Sequence, residues 1–403
     1  MNGHIVIGAG QAGAALVAKL RQADPDTPIT LIGEEPVPPY QRPPLSKKYL
    51  MGEMELERLY LRPESFYTDQ RITLRLGTRV ASIDRQAKVV VLHDGERLPY
   101  DTLALTTGST PRMLPAAIGG ALRGVYPVRS LAHIDLMAGD FAPDTRCLIV
   151  GGGYIGLEAA AVAASRGLKV VLVEAMDRIL QRVASAETSD YFRALHSSHG
   201  VDIREGTGLE RLTGDTRVSG AVLTDGTTLD VDFVIVGIGI APDITLAEEA
   251  GLQIENGIRV DARSCTSDPS IFAAGDCASF PHGATRIRLE SVPNAIEQAD
   301  VAALNMAGQQ ADYGAKPWFW SDQYDVKLQI AGLNTGYDRA IVRAGARAGT
   351  QSVWYFCGAD LLAVDAMNDP RAYMIGKRMI EAGKSPPLDA VADPETDLKS
   401  LMA

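Results

Sequence analysis

One arrangement of strand, glycine-rich turn and helix occurs twice in this 403-residue chain and constrains the fold more than any other feature. In each copy an apolar strand enters the turn, an alanine-rich helix leaves it, and a second strand ends at a glutamate. The first copy comprises His4–Ile7, Gly8–Gly13, a helix to about Leu20, Ile29–Ile32 and Glu34. The second comprises Arg146–Val150, Gly151–Gly156, Leu157–Ser165, Lys169–Val173 and Glu174. The repeat predicts two βαβ units of the dinucleotide-binding type.

The first glycine turn predicts a pyrophosphate site. Gly8, Gly10 and Gly13 permit a tight turn and a close approach of the backbone to a pyrophosphate, which then lies at the helix N-terminus. Glu34 follows the second strand, where it can accept a hydrogen bond from a ribose hydroxyl. A glycine turn between strand and helix can also serve packing alone, but here strand, helix and acidic residue are all in register.

The second glycine turn predicts a nicotinamide dinucleotide site, formed by Gly151, Gly153, Ile155 and Gly156. Its strand-end Glu174 can accept hydrogen bonds from a ribose diol but repels a 2′-phosphate, so NADH is favoured over NADPH. Arg178 and Arg182 lie nearby and could accommodate that phosphate, and Glu174 could simply cap a loop. Two dinucleotide units, one at the N-terminus, imply one tightly bound flavin and one exchangeable nicotinamide.

Charge balance and cysteine usage exclude several functional classes. Thirty-nine Lys+Arg against 50 Asp+Glu give a formal net charge of -11, which argues against nucleic acid as a partner. No run reaches the roughly 18 to 20 apolar residues of a membrane span. Residues Met1 to Ile7 lead directly into a strand and do not have the pattern of a signal peptide. The cysteines form neither a CxxC pair nor a zinc cluster, and the histidines show no metal spacing. A cytoplasmic protein without a metal is expected.

Five segments carry a resemblance to a known family: Arg42–Lys47 (RPPLSK), Gly151–Glu158 (GGGYIGLE), Ala274–Cys277 (AGDC), Glu290–Ala295 (ESVPNA) and Pro317–Tyr324 (PWFWSDQY). Over essentially its whole length the chain resembles the oxygenase-coupled ferredoxin reductases, FAD proteins of the glutathione-reductase-like superfamily. The resemblance implies that NADH passes a hydride to tightly bound FAD and that a [2Fe-2S] ferredoxin receives the electrons in two single steps. That ferredoxin would supply a cytochrome P450 or a Rieske-type, ring-hydroxylating dioxygenase.

The same resemblance assigns residues to FAD, namely Ala12, Glu34, Arg42, Lys47, Val80, Arg129, Asp276 and Val292. Asp276 would hold the ribityl chain, and Lys47 would lie near the reactive nitrogen of the flavin and pair with Glu158. A cation beside the isoalloxazine favours the reduced, anionic flavin, and a buried lysine requires a counter-charge. Lys47 and Glu158 are therefore the candidate catalytic residues, unless Lys47 is a solvated surface lysine.

Four more residues complete the predicted sites. Tyr154 could cover the flavin face until the nicotinamide displaces it. Trp320 could pack against the flavin, or it could belong to a core. Gly239 and Glu290 are expected at the nicotinamide site.

Motif order predicts an α/β fold with two Rossmann-like dinucleotide-binding domains and a C-terminal α+β domain. Residues 1–107 and 240–315 are expected to form a discontinuous FAD-binding domain, residues 108–239 an NAD-binding domain, and residues 316–403 an interface domain. Buried-strand patterns at Asp101–Thr106 and Phe233–Val236 mark the crossings between the nucleotide-binding domains. Arg79–Leu92 alternates as an antiparallel hairpin does.

Alternatives to a ferredoxin reductase remain open from the sequence. The acceptor could be rubredoxin, a quinone or oxygen, or the chain could be a redox-sensing interaction protein like the apoptosis-inducing flavoproteins. The disulfide reductases of the superfamily require a CxxxxC pair over the flavin, whereas no cysteine precedes Cys147, which excludes thiol–disulfide exchange. Cys147 and Cys277 are expected in cores. Arg286 and Arg288 are candidates for part of a basic docking patch, or for a solvated loop.

Overall fold

The computed structural model describes residues 2–402 and divides the chain into two compact units. Among the described residues, the first unit spans 2–42, 54–110 and 240–317, and the second spans 43–53, 111–239 and 318–402. Each unit is built around a five-stranded parallel sheet.

The strands, in chain order, are β1 (His4–Ile7), β2 (Ile29–Ile32), β3 (Ile72–Arg75), β4 (Val80–Asp84), β5 (Val89–Leu92), β6 (Arg97–Pro99), β7 (Thr102–Leu105), β8 (Ser109–Pro111), β9 (Val125–Pro127), β10 (Arg146–Val150), β11 (Lys169–Val173), β12 (Asp202–Arg204), β13 (Leu209–Thr213), β14 (Gly220–Leu223), β15 (Thr228–Asp230), β16 (Phe233–Val236), β17 (Ile240–Pro242), β18 (Ile258–Arg259), β19 (Ile271–Ala273), β20 (Ala278–His282), β21 (Thr285–Ile287), β22 (Trp318–Gln323), β23 (Val326–Gly332), β24 (Arg339–Ala344), β25 (Gln351–Cys357) and β26 (Asp360–Met367). The α-helices are α1 (Gln11–Ala23), α2 (Leu56–Leu59), α3 (Glu64–Asp69), α4 (Leu131–Ala138), α5 (Tyr154–Ser165), α6 (Ala186–Ser198), α7 (Thr245–Glu249), α8 (Val292–Met306), α9 (Pro370–Glu381) and α10 (Leu388–Ala392). A short π-helical turn occupies Leu45–Tyr49, and 3₁₀ turns occupy Ala116–Ile118 and Leu398–Met402.

The parallel sheet of the first unit has the strand order β19-β7-β1-β2-β3. β1 is its central strand and is buried at all four positions, as expected for a strand covered on both faces. Helices α1 and α8 pack together over the sheet through Leu16, Val17, Ala299 and Ala302. The glycine turn that follows β1 therefore leaves the carboxyl edge of the sheet at its middle.

The second unit contains a sheet with the corresponding order, which is β9-β16-β10-β11-β12 when it is written from the same edge, and its strands are again all parallel. β10 takes the central place that β1 holds in the first unit, and Leu148 and Ile149 on it are fully buried. The repeat seen in the sequence thus reappears as a repeat of strand order.

An antiparallel sheet with the order β22-β23-β26-β25-β24 also belongs to the second unit. Helix α9 packs on one face of it around the fully buried Trp354 and Val364. Side chains alternate along β22, so Ser321 and Gln323 share the face whose hydrogen bonds reach α5 and α6.

The fold class predicted from the sequence is confirmed, because two parallel α/β sheets and a C-terminal antiparallel sheet with helices are present. The hairpin expected within Arg79–Leu92 is present as antiparallel β4 and β5. The predicted helix start at Leu157 was three residues late, since Gly153 is extended (φ -80, ψ 179) and α5 begins directly after it, at Tyr154. The division into three domains stays a prediction. Within residues 2–402, no helix is both long and apolar enough to cross a membrane.

Candidate functional site

The first glycine turn leaves room for a ligand at one of its glycines and none at the other two. Gly8 has a left-handed φ of +109, and a Cβ there would lie 2.2 Å from the carbonyl oxygen of Thr106. A Cβ on Gly13 would lie 2.0 Å from the carbonyl oxygen of Gly8. Gly10, the residue before α1, is different, since no neighbouring group in the described chain lies within 4 Å of its Cβ position. Close backbone packing therefore requires glycine at Gly8 and Gly13. At Gly10 the protein leaves open space beside the helix start, which a ligand could occupy.

The second glycine turn repeats this geometry. Gly151 has a φ of +107, and a Cβ on it would lie 2.4 Å from the carbonyl oxygen of Gly237. A Cβ on Gly156 would lie 2.0 Å from the carbonyl oxygen of Gly151, whereas at Gly153 the corresponding space is open within the described residues. Each turn therefore leaves an open recess beside the start of its helix. We call Gly8–Gly13 the first cradle and Gly151–Gly156 the second cradle.

Neither helix that follows a cradle has a side-chain cap. The residues before α1 and α5 are Gly10 and Gly153, and neither helix has an acidic residue in its first turn. The first amides of each helix therefore have no side-chain acceptor at the cap, and they lie at the positive end of the helix dipole. A pyrophosphate fits this arrangement, because it supplies both negative charge and acceptor oxygens. The residues present thus fit two dinucleotides, one in each unit.

The two strand-end glutamates differ in their surroundings. Glu34, after β2, has a side chain that is 72% exposed, with Arg79 Nε 3.8 Å from its carboxylate. Glu174, after β11, accepts hydrogen bonds from the amide of Gly152 (2.7 Å) and from the amide of Met176 (2.8 Å). Glu174 is therefore fixed beside the second cradle.

Arg178 is not available to a ligand phosphate. Its guanidinium donates to the carbonyl oxygens of Ala184 and Ser185 and to the hydroxyl of Ser189. Arg182 is exposed and lies near Gly239, where a Cβ would be 3.7 Å from its Nη2. The guanidinium of Arg178 is thus occupied by hydrogen bonds within the protein and cannot bind a 2′-phosphate. This supports the interpretation of Glu174 as an acceptor for a ribose diol.

Asp276 lies close to the first cradle. It follows β19 and Gly275, and a Cβ on Gly275 would lie 3.1 Å from the Cβ of Ala12, at the start of α1. Ser109 Oγ donates to Asp276 Oδ2 at 2.8 Å. The structure therefore brings Ala12, Asp276 and the glycines of the first turn together in the first unit.

Lys47 and Glu158 form an ion pair in the second unit. Lys47 Nζ lies 2.9 Å from Glu158 Oε1, and the two side chains are only 16% and 13% exposed. Lys47 interrupts the π-helical turn with a non-helical backbone (φ -124, ψ -109), and Glu158 lies in the second turn of α5. Ser321 Oγ at 2.7 Å and the Asp322 amide at 3.3 Å also donate to Glu158 Oε1. The resemblance implied this pairing, whereas its position relative to a flavin stays a prediction.

Opposing influences act on the pKa of Glu158. Burial raises the pKa of this carboxyl, and the charge and hydrogen bond of Lys47, together with the donors on Ser321 and Asp322, act against that rise. Because burial is the larger effect, the carboxylate depends on its donors to remain ionised.

Tyr154 begins α5 with a partly exposed ring and a buried hydroxyl. The ring packs against Phe319 at 5.1 Å between centroids, and the hydroxyl oxygen has no hydrogen-bond partner among residues 2–402. Burial raises the pKa of Tyr154 well above its usual value. The gating role predicted for this residue stays a prediction.

The other predicted residues have varied environments. Arg42 donates to Glu35 Oε1 at 2.8 Å, and Trp320 is half-buried beside Trp318 on β22. Val80 is buried at the start of β4, Val292 begins α8, and Arg129 precedes the N-cap residue of α4. Ile155 is 39% exposed on α5. Their roles toward cofactors stay predictions.

The prediction that Arg286 and Arg288 form part of a basic docking patch is wrong. Their side chains are only 19% and 12% exposed. Arg286 donates to backbone carbonyl oxygens, and Arg288 pairs with Glu290 at 2.6 Å and donates to the carbonyl oxygen of Asp276. The alternative of a solvated loop is wrong as well, because Arg286 lies on β21 and the side chain of Arg288, which follows that strand, is largely buried. Arg288 thus supports the backbone at Asp276, and Arg286 supports the backbone at Val260 and Ser279.

Two serines of the site were missed by the sequence argument. Ser109 orients Asp276, and Ser321 donates to Glu158. Ser321 gave one signal, since it is the single small polar residue after three aromatic residues in Pro317–Tyr324. The sequence around Ser109 contains no such signal, because its partner Asp276 lies far away along the chain.

All four cysteines are free thiols, and Cys147 and Cys277 are buried in cores as predicted. Burial raises the pKa of both thiols, which makes them poor nucleophiles. No cluster of three or more potential metal ligands occurs in the described part of the chain.

Comparison with known proteins gives matches along the whole chain. Residues 3–299 match the family described as pyridine nucleotide-disulphide oxidoreductase, and residues 318–402 match the family described as reductase C-terminal. Rhodocoxin reductase of Rhodococcus erythropolis is 41% identical over 402 residues, which cover 99% of this chain and 94% of that protein. A ferredoxin–NAD(P)+ reductase of a Sphingomonas species is 43% identical over 403 residues, covering 99% and 97%. The crystal structure of the covalent putidaredoxin reductase–putidaredoxin complex matches with a TM-score of 0.95 at 40% identity, covering 99% and 97%.

Two cradles on parallel sheets, followed by a matching C-terminal domain, define an oxidoreductase that uses a flavin and a nicotinamide dinucleotide. The chain belongs to the pyridine nucleotide-disulphide oxidoreductase family, and ferredoxin reductases are among its relatives. The family, the enzyme class, FAD and a nicotinamide dinucleotide, all expected from the sequence, are confirmed. The preference for NADH over NADPH stays a prediction.

Replacing Lys47 by Met should make stability depend on pH through Glu158. Without Lys47 the pKa of Glu158 rises further above its value in the unfolded chain, about 4.3. A carboxyl with a raised folded-state pKa contributes stability below the unfolded pKa, and that stability is lost as pH rises through the folded pKa. We expect Lys47→Met to be about 3 kcal/mol less stable than the wild type at neutral pH, with less loss at pH 4.

Urea unfolding of the holoprotein measures this effect, with Lys47→Met/Glu158→Gln as the matched control. The free energy of unfolding of Lys47→Met should fall relative to the double variant as pH rises. Parallel curves for the two variants would show that Glu158 is not held ionised by Lys47.

Proposed function

We propose that this chain is an FAD-dependent NADH:ferredoxin oxidoreductase. One observation carries the proposal: the same ligand-ready cradle, with open space at Gly10 and again at Gly153, occurs in a chain that matches a ferredoxin reductase over 99% of its length. The first cradle takes FAD and the second takes NADH. Residues 1–107 and 240–315 form the FAD-binding domain, residues 108–239 the NAD-binding domain, and residues 316–403 the interface domain.

Bound FAD would supply the redox chemistry, namely acceptance of a hydride from NADH and release of two electrons one at a time. The chain supplies binding and orientation. The amides at the start of α1 and α5 bind the two pyrophosphates, and Ser109 orients the Asp276 carboxylate toward the ribityl hydroxyls. Lys47 places a positive charge beside the isoalloxazine, and Glu158 holds that ammonium in position.

The remaining predicted residues complete the two sites in this proposal. Arg42, Val80, Arg129, Val292 and Trp320 contact FAD. Tyr154, Gly239 and Glu290 contact the nicotinamide dinucleotide.

NADH is preferred to NADPH in this proposal. Glu174 is held beside the second cradle by two backbone amides, and its carboxylate can accept hydrogen bonds from the ribose diol. A 2′-phosphate would place like charges next to each other, and Arg178 cannot offset them because its guanidinium is already bonded within the protein.

The electron acceptor we propose is a [2Fe-2S] ferredoxin. One NADH and two oxidised ferredoxins give one NAD+, two reduced ferredoxins and one proton, so electrons and charge balance. The reduced ferredoxin then supplies a cytochrome P450 or a Rieske-type, ring-hydroxylating dioxygenase, as the family resemblance implies. We place the reaction in the cytoplasm, where NADH is supplied and the four cysteines remain reduced.

Removing the carboxylate of Glu174 should change the nucleotide preference. We expect Glu174→Ala to raise kcat/KM for NADPH relative to NADH by about tenfold or more, because the repulsion of the 2′-phosphate is lost together with the diol acceptor. Steady-state ferricyanide reduction with each nucleotide measures the ratio. Asp177→Ala, which removes an exposed carboxylate from the same loop, is the matched control and should leave the ratio unchanged. An unchanged ratio in Glu174→Ala would contradict the assignment.

Cytochrome c reduction driven by NADH tests the acceptor. We expect a large stimulation when an oxidised [2Fe-2S] ferredoxin is added to the purified holoprotein, because the ferredoxin carries single electrons between the two proteins. If the flavin is reduced promptly but ferredoxin has no effect, the assignment of a ferredoxin as the acceptor is wrong. Rubredoxin, a quinone and oxygen are then tested as acceptors. Slow flavin reduction with a long-lived charge-transfer band would favour a redox-sensing protein instead.

A further inference from the structure

Three buried polar side chains lead from Glu158 across β22 to α6. Ser321, Gln323 and His196 are each fully buried, with no exposed surface. Gln323 Nε2 lies 3.2 Å from Ser321 Oγ, and Gln323 Oε1 lies 2.8 Å from His196 Nε2. Together with the bond from Ser321 to Glu158, these contacts form one continuous chain of hydrogen bonds.

The chain can carry its hydrogens in only one direction while Glu158 is ionised. A carboxylate only accepts, so Ser321 must donate its single hydrogen to Glu158. Ser321 must then accept from the Gln323 amide nitrogen, which turns the amide oxygen toward His196. His196 consequently carries its proton on Nε2. Each donor points toward Glu158.

Tyr324 closes the outer end of this chain. Its hydroxyl lies 3.3 Å from His196 Nδ1, and it donates there because that nitrogen carries no proton. The residue adopts a left-handed φ of 55, which is unfavourable for a bulky side chain and is retained only where the surroundings fix it. The ring is held by stacking on His199, with centroids 3.7 Å apart and an angle of 13°.

We propose that His196 is a positioning residue for the Lys47–Glu158 pair, acting through Gln323 and Ser321 to hold the Glu158 carboxylate ionised and in place. With His196 present, the Gln323 amide cannot turn over without losing its donor and facing two N–H groups toward each other. With the amide fixed, the Ser321 hydroxyl cannot turn away from Glu158. Bonds aligned head to tail also polarise one another, which strengthens the last one, on the carboxylate.

The charge state of His196 suits this role. Burial lowers the pKa of His196 to about 4, so the ring is neutral at physiological pH and keeps one tautomer. The ionisable groups that face His196 are Tyr324 and His199. Those that face Glu158 are Lys47 and, 3.9 Å from the Lys47 ammonium, Asp322. The chain of hydrogen bonds therefore gives the Glu158 carboxylate a donor without placing another charge beside it.

This inference rests on the proposed function only for the role of the Lys47–Glu158 pair beside the flavin. The hydrogen-bond chain itself can be tested in the oxidised holoprotein, without NADH or ferredoxin. Failure of ferredoxin reduction by the wild type would therefore contradict the proposed function and leave this inference to its own measurement.

Infrared titration of Glu158 is the test. The band of its protonated carboxyl is assigned by its disappearance in Glu158→Gln and followed with pH in each variant. Ser321→Ala removes the direct donor and should raise the pKa of Glu158 by about one unit. His196→Phe keeps a ring but has no donor, and it should raise the pKa by about half a unit through Gln323. His196→Gln restores an N–H at the position of Nε2 and should bring the pKa back toward the wild-type value.

Each outcome decides the question. A shift in Ser321→Ala with none in His196→Phe would show that His196 is only a satisfied core residue and would overturn the proposal. A shift in His196→Phe that His196→Gln does not reverse would also overturn it. If His196→Phe does not fold, Tyr324→Phe removes the outer donor alone, and it must shift the pKa of Glu158 in the same direction by a smaller amount for the proposal to stand.

Discussion

Backbone amides at the start of α1 and α5, left without a side-chain partner, are the constraint on which both halves of this oxidoreductase depend. At Gly10 and Gly153, the residues before these helices, the Cβ position is open, and we propose that each pyrophosphate approaches the amides there. The turn must also pass close to the neighbouring strand, which explains Gly8 and Gly151. Placing β1 and β10 at the centre of their sheets then directs each cradle to the middle of a carboxyl edge.

Local patterns in the sequence were sufficient for the fold class. Mainly apolar runs predicted β1, β2, β10 and β11 at their observed bounds, because strands covered on both faces carry few polar residues. Helix starts were less certain. The sequence placed the start of α5 at Leu157 because Tyr154 was counted as part of the turn, whereas the extended backbone of Gly153 allows the helix to begin at the next residue.

Long-range hydrogen bonds account for what the sequence did not predict. Ser109 and Asp276 are 167 residues apart, and Ser321 and Glu158 are 163 apart, so no local pattern links either pair. Arg286 and Arg288 were interpreted from charge alone, whereas burial and backbone acceptors turned both side chains inward. The pairing of Lys47 with Glu158 was anticipated only because the resemblance supplied it. A buried carboxylate that needs several donors shows its requirements only in three dimensions.

Anaerobic titration of the purified protein with NADH, followed by oxidised [2Fe-2S] ferredoxin, tests the central claim most directly. The proposal assigns FAD to the first cradle and NADH to the second, so the protein should hold one FAD per chain and one equivalent of NADH should bleach the flavin absorbance. Two equivalents of ferredoxin should then restore it, because each ferredoxin takes a single electron. Absence of stoichiometric FAD, or a flavin that NADH does not bleach, would contradict the account of the two sites.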